Sequence, residues 1–150
     1  MKTLVLGLGN PILSDDGIGI KLAREIKKRI NDVDVIEASA AGFRIIDQIL
    51  GYDKIILIDA IKTGKWKIGS LHLYKPEDFK KTKHGSSVHD IGFFQALEIY
   101  RNEGEKVPEV IKIYGIEVEL TDVFSEEFTA ELEKAFPQIL ERIISENFSE

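Results

Sequence analysis

The run Lys54-Ile55-Ile56-Leu57-Ile58 constrains this chain more than any other stretch. A strand with one wet face alternates polar and apolar residues, whereas a strand covered on both faces reads as an unbroken apolar run. KIILI is of the second kind, so helices must lie above and below the sheet that holds it. The flanking segments can supply them. Residues 2–8 (KTLVLGL) form a first short apolar run ending in Gly-x-Gly. Beyond the turn GNPILSDDG, Ile18, Leu22, Ile26 and Ile30 recur every four residues among Lys, Arg and Glu, which is one face of a helix.

Residues 33–37 read as a second strand, and Phe43, Ile46 and Leu50 as a short second helix. Residues 68–74 alternate, with Leu71 and Leu73 on one side and Ser70, His72 and Tyr74 on the other, the mark of a half-exposed edge strand. Helical spacing returns over residues 89–102 through Phe93, Leu97 and Tyr100, and residues 110–116 (VIKIYGI) make the last strand. A final helix from Ser125 carries Phe128, Leu132, Phe136, Ile139 and Ile143, with a kink or break expected at Pro137. The order β-α-β-α-β-β-α-β-α predicts an α/β protein of three αβα layers. Its sheet should be mostly parallel, with about five strands flanked by helices, and residues 1–150 should form a single domain.

Charge and composition remove several function classes. The 20 Lys and Arg are outnumbered by 26 Asp and Glu, for a net charge of −6, whereas a nucleic-acid binder normally carries a basic footprint. With no cysteine there is no disulfide framework, thiolate nucleophile or sulfur-ligated metal. No apolar run approaches the ~20 residues of a membrane span, and no leader pattern precedes the first strand, so a cytoplasmic location is expected.

In an open α/β sheet the ligand crevice lies beyond the carboxyl ends of the strands. The first of those ends runs into Gly7-Leu8-Gly9-Asn10-Pro11 and on to Ser14-Asp15-Asp16-Gly17. The Gly-x-Gly is a poor dinucleotide motif, because the third glycine is missing and two aspartates stand where a pyrophosphate needs positive potential. Helix capping accounts for one acidic residue of the Asp15–Asp16 pair and leaves the other available to a ligand. Asp59 closes the central apolar run, where it is either a turn residue or a functional carboxylate. His89 opens the third long helix, and the positive end of a helix favours a neutral, metal-competent imidazole. His72 is expected to be merely solvated, and His84 to lie in a lysine-rich loop of residues 81–87 that could close over the site. Two carboxylates and an imidazole form an oxygen and nitrogen set suited to Zn, Ni or Mn, with coordination positions left open.

Taken together, GLGNPILSDDGIGI, ILIDAI followed by IGSL, SSVHDIG, YGIEVEL and FSEEF resemble the hydrogenase maturation endopeptidases, in the same order and over nearly the whole chain. The resemblance implies a peptidase that trims the C-terminal tail of the nickel–iron hydrogenase large-subunit precursor after nickel insertion. It implies that Asp16, Asp59 and His89 form the nickel-recognising and catalytic set, with Asp16 standing where many members have glutamate. It further implies that the nickel is carried by the precursor rather than held tightly by the enzyme. Many members carry Gly-Gly-Thr-x-Gly after the second strand, and this chain keeps only the glycine of Ala38-Ser39-Ala40-Ala41-Gly42. Two alternatives stand beside this one. GLGNP also resembles peptidyl-tRNA hydrolase, although the Thr-Arg-His-Asn run of that family is absent, and a non-cleaving metal-sensing accessory of hydrogenase assembly would share the fold.

Overall fold

The apolar run becomes β3 (Lys54–Ile61), the middle strand of five. On one side lie β1 (Thr3–Leu8) and then β2 (Asp34–Ala38), and on the other β5 (Val110–Glu117) and then β4 (Leu71–Tyr74). All neighbours pair in parallel except β4, which runs antiparallel to β5 at the edge. The computed structural model describes residues 1–38, 43–79, 91–119 and 121–148, and the side chains of all of these except residues 43–45, 79 and 91–94.

The pleat divides the core as the apolar run requires. Ile56, Ile58 and Ala60 face α1 (Ile18–Arg29) and α5 (Ala130–Phe148), where they meet Ile18, Leu22, Ile26, Leu132, Ile139 and Ile143. Ile55, Leu57 and Ile61 face α2 (Phe43–Ile49) and α4 (Ile91–Asn102), where they meet Ile46, Ile49, Ala96 and Leu97. The result is the expected three-layer α/β architecture. Tyr114 of β5 is fully buried and fixes the far end of α5, since its hydroxyl donates to Glu146 Oε1 at 2.8 Å and accepts from Asn147 Nδ2 at 2.9 Å. Burial, and secondly the Glu146 carboxylate, push that phenol up to about 12.

Four local expectations need correction. Of the kink or break expected at Pro137, the break does not occur: the last helix runs without interruption from Ala130 to Phe148. Pro137 and Glu133, whose carbonyl would have paired with residue 137, both lie on the exposed side of the helix, and Leu132, Ile139 and Leu140 are buried on either side of the proline. That helix also begins later than Ser125. Ser125 instead bridges to Leu13, and Phe128 stacks on Phe136 from outside the helix with ring centroids 5.8 Å apart. The edge strand is only Leu71–Tyr74, and Leu73 is exposed although Leu71 is buried, because the covering layer ends before it. Finally, the polar stretch from residue 75 opens with one helical turn, α3 (Pro76–Phe79). The expected gate at residues 81–87, with His84, lies outside the described residues, as do residues 39–42 of the departing Ala-Ser-Ala-Ala-Gly stretch.

Glycine sets how close α1 comes to the sheet. A Cβ on Gly19 would run into the carbonyl oxygens of Ile58 and of Leu8, the latter at 2.6 Å, and one on Gly7 would sit 2.6 Å from Gly19 O. The Gly-x-Gly thus serves helix–sheet contact rather than a phosphate. Backbone atoms cannot swing aside as side chains can, so Gly19→Ala should cost about 3 kcal/mol, the upper part of the overpacking range. Urea unfolding should show the midpoint falling with the slope unchanged.

Candidate active site

The chain leaves β1 toward β2 on one side and reaches β3 on the other, so the strand order reverses between β1 and β3. A crevice opens at such a switch point, beyond the carboxyl ends of the two strands. The turn after β1 holds Asp15 and Asp16, and the end of β3 holds Asp59. All three are buried, at 0%, 1% and 0% exposure. Carboxylates taken out of water need hydrogen-bond donors or opposite charge, and the turn supplies donors from its own backbone and from distant segments.

Neither aspartate caps α1. Residues 14–17 form one tight helical turn ahead of it, and the N-cap positions of the two helices are Leu13 and Gly17, neither of which makes a side-chain cap hydrogen bond. Asp15 instead accepts from Glu119 N at 3.0 Å, Thr129 N at 2.8 Å and Thr129 Oγ1 at 2.9 Å, which ties the first βα turn to the exit of β5 and the start of α5. Asp16 turns back over β1, where its Oδ2 accepts from Asn10 N at 2.9 Å. Gly9 makes room for this: its φ is +135°, and any Cβ there would strike the Asp16 carbonyl. Ser14, with φ +49°, is held in that left-handed conformation because its N–H donates to Ser125 O at 2.8 Å and its hydroxyl to Glu127 O at 2.9 Å. Neither residue therefore occupies an N-cap, although both lie in the first turn of residues 14–17. Asp15 is a latch between segments, and Asp16 is presented at the switch point.

Asp59 lies within β3 rather than after it, opposite Gly115 of β5. By alternation it shares the face of Leu57 and Ile61, the face covered by α4. His89 precedes the first described residue of α4, Ile91, by two positions and lies outside the described residues. The structure thus brings Asp16 and Asp59 to one rim of the sheet. Among the described residues no three His, Asp or Glu side chains gather as a metal site.

One further buried carboxylate went unassigned in the sequence reading. Glu117 ends β5 at 1% exposure and accepts from Thr63 N at 2.9 Å, Thr63 Oγ1 at 2.5 Å and Gly64 N at 3.0 Å. The signal that singles out Asp59, an acid closing an apolar central strand, is equally present in VIKIYGIE. His72 also departs from expectation. It is partly buried rather than solvated, with its ring 4.4 Å from that of Trp66 and Nε2 3.0 Å from Ser70 Oγ.

Fold and rim together define a class: a doubly wound α/β protein with buried carboxylates at its switch point. Comparison with known proteins narrows it. The sequence profile described as hydrogenase maturation protease matches residues 17–146. The hydrogenase 2 maturation protease of Escherichia coli (strain K12) is 27% identical over 120 residues, which span 77% of this chain and 73% of that protein. The solved structure of the hydrogenase maturating endopeptidase HybD from E. coli superposes with a TM-score of 0.80 at 25% identity, covering 97% of this chain and 91% of that one. The [NiFe] hydrogenase maturation protease HybD from Thermococcus kodakarensis gives 0.74 at 26% identity over 100% of both chains. The chain belongs to the hydrogenase maturation protease family; it is a peptidase, and proteins of this family act on hydrogenase precursors. No helix among the described residues is long and apolar enough to cross a membrane.

Two measurements test the rim. Asp15→Ala leaves the N–H groups of Glu119 and Thr129 and the Thr129 hydroxyl without their acceptor, so chemical unfolding should show a loss of about 3 kcal/mol, the scale of hydrogen bonds to a charged group. The second concerns pH. Burial is the main cause that pulls the His72 imidazole below its ordinary value, assisted by Arg142 and opposed by Glu117. The unfolded chain therefore takes up this proton at a higher pH than the folded one, and stability falls as pH drops from about 6.5 toward the folded value. Thermal unfolding of His72→Gln against the parent should show the parent losing more Tm over that window. Parallel curves would mean that His72 titrates alike in both states.

Proposed function

We propose that this peptidase removes the C-terminal extension of a nickel–iron hydrogenase large-subunit precursor after nickel insertion, and that Asp16, Asp59 and His89 recognise the nickel that the precursor carries. The observation that carries the reading is the pair of buried carboxylates, Asp16 and Asp59, at the ends of the two strands flanking the switch point. Two carboxylate oxygens and one imidazole nitrogen make a set that borderline divalent metals accept, and three ligands leave positions for groups of the precursor itself. Without sulfur, such a set holds free metal only weakly. The nickel is therefore part of the substrate, and a precursor lacking it forms no productive complex.

In this reading the roles differ by position. Asp16 is fixed by the Asn10 N–H on its Oδ2, which orients the carboxylate at the switch point. Asp59 sits on the rigid central strand, so its carboxylate is placed to within the small tolerance that catalysis demands. A carboxylate at the scissile bond would serve as general base toward the attacking water, and nickel held there by Asp16, Asp59 and His89 would supply recognition of the loaded precursor or polarisation of the carbonyl.

The experiment is incubation with nickel-loaded and nickel-free large-subunit precursor, with the product mass read afterwards. Wild type should shorten only the loaded form. Asp16→Asn keeps an oxygen for the Asn10 N–H and keeps the fold, yet it removes the negative charge, and processing should fall by at least about a hundredfold. His89→Ala and Asp59→Asn should behave likewise. Processing by Asp16→Asn at the wild-type rate, or cleavage of nickel-free precursor, would overturn the reading.

A further inference from the structure

Residues 62–67, Lys-Thr-Gly-Lys-Trp-Lys, leave β3 three positions beyond Asp59 and lie at the same rim. They put three ammonium groups and the chain's single tryptophan into one short exposed loop, with Trp66 at 45% exposure. In a chain of net charge −6 this is a local reversal of sign. Among the described residues none of Lys62, Lys65 and Lys67 has a carboxylate within ion-pair distance.

The loop is also held rigid. Both oxygens of the buried Glu117 carboxylate are used on Thr63 and Gly64, and the Thr63 hydroxyl in turn accepts from Lys65 N at 3.1 Å. Gly64 takes the left-handed conformation, φ +73°, that the turn needs. At the far end Gly69 N donates to Glu117 O at 2.8 Å, Ser70 N donates to Lys67 O at 3.0 Å, and the Trp66 ring rests on His72. A buried carboxylate is a costly way to order an exposed loop unless the loop has a task. Preorganised cations and an aromatic face lower the entropy lost when a partner docks.

We propose that this loop is a docking surface for an acidic stretch of the precursor polypeptide, engaged while the scissile bond lies at Asp16 and Asp59. It rests on the reading of the chain as a precursor-cutting peptidase. Its lysines meet carboxylate side chains, and Trp66 packs against the peptide between them. The surface acts on encounter and affinity, not on the bond-breaking step.

The single tryptophan makes the test direct. Trp66 fluorescence is titrated with a tryptophan-free oligoglutamate peptide, with oligolysine and single-stranded RNA as comparisons, at low and at raised salt. A saturable change with oligoglutamate alone is expected, weakened by salt and lost in K62Q/K65Q/K67Q. The same triple variant should keep the Tm and the kcat of the parent on nickel-loaded precursor while KM rises about tenfold at low salt, the scale of electrostatic steering. A KM insensitive to both salt and the triple substitution would overturn the proposal, and so would a response to RNA but not to oligoglutamate. The two readings fail separately. An oligoglutamate response in a wild type that cuts no precursor sinks the peptidase assignment of substrate, whereas efficient cutting with no Trp66 response sinks only the docking surface.

Discussion

The Asp15 carboxylate holds together segments separated by more than a hundred positions in the chain, and the geometry of the rim depends on it. Through Glu119 it fixes the exit of β5, and through Thr129 the start of α5, both against the first βα turn. Without that latch the turn would be anchored chiefly by its backbone bonds to residue 125 and by α1. Asp16 is the next residue along, so its position follows from its neighbour's bonds. One carboxylate of the pair thus determines where the next one stands.

Four carboxylates, Asp15, Asp16, Asp59 and Glu117, are buried near one end of the sheet. Such crowding of negative charge would be unfavourable in most interiors. It is tolerated here because of what the parallel topology brings to that end. Strand exits and helix starts coincide there, so backbone N–H groups point into the rim and the helices present their positive ends. Asp15, Asp16 and Glu117 each use those N–H groups. The doubly wound fold therefore makes a cluster of buried carboxylates tolerable at this rim. The exposed lysines of residues 62–67 stand outside this arrangement, and they give the same rim a surface of opposite sign.

The catalytic candidates were legible for a plain reason. Asp59 is the acid that closes an unbroken apolar run, and Asp16 belongs to a turn between a strand and a helix whose periods are both clear. Roles within the turn were not legible. Asp15 and Asp16 are adjacent acids before a helix, and capping was the reasonable local account of one of them. Their division of labour depends on Glu119 and Thr129, whose proximity no local pattern records. Glu117 carried the same signal as Asp59, yet its purpose lies in the conformation of residues 63 and 64, which sequence does not display.

The sequence by itself determined the layers and the largely parallel sheet, since hydrophobic period and strand order depend on neighbours a few residues apart. It also determined the family, because the ordered set of motifs spans the chain. Tertiary structure alone decided that the helix at Pro137 would continue, because burial of Leu132, Ile139 and Leu140 on either side of the proline is a property of packing. It decided likewise that His72 would rest against Trp66, and that Gly19 would bring α1 onto the backbone of β1 and β3. Periodicity reports which face of an element is buried. What that face meets is set by segments far along the chain, and contacts of that kind leave no local trace.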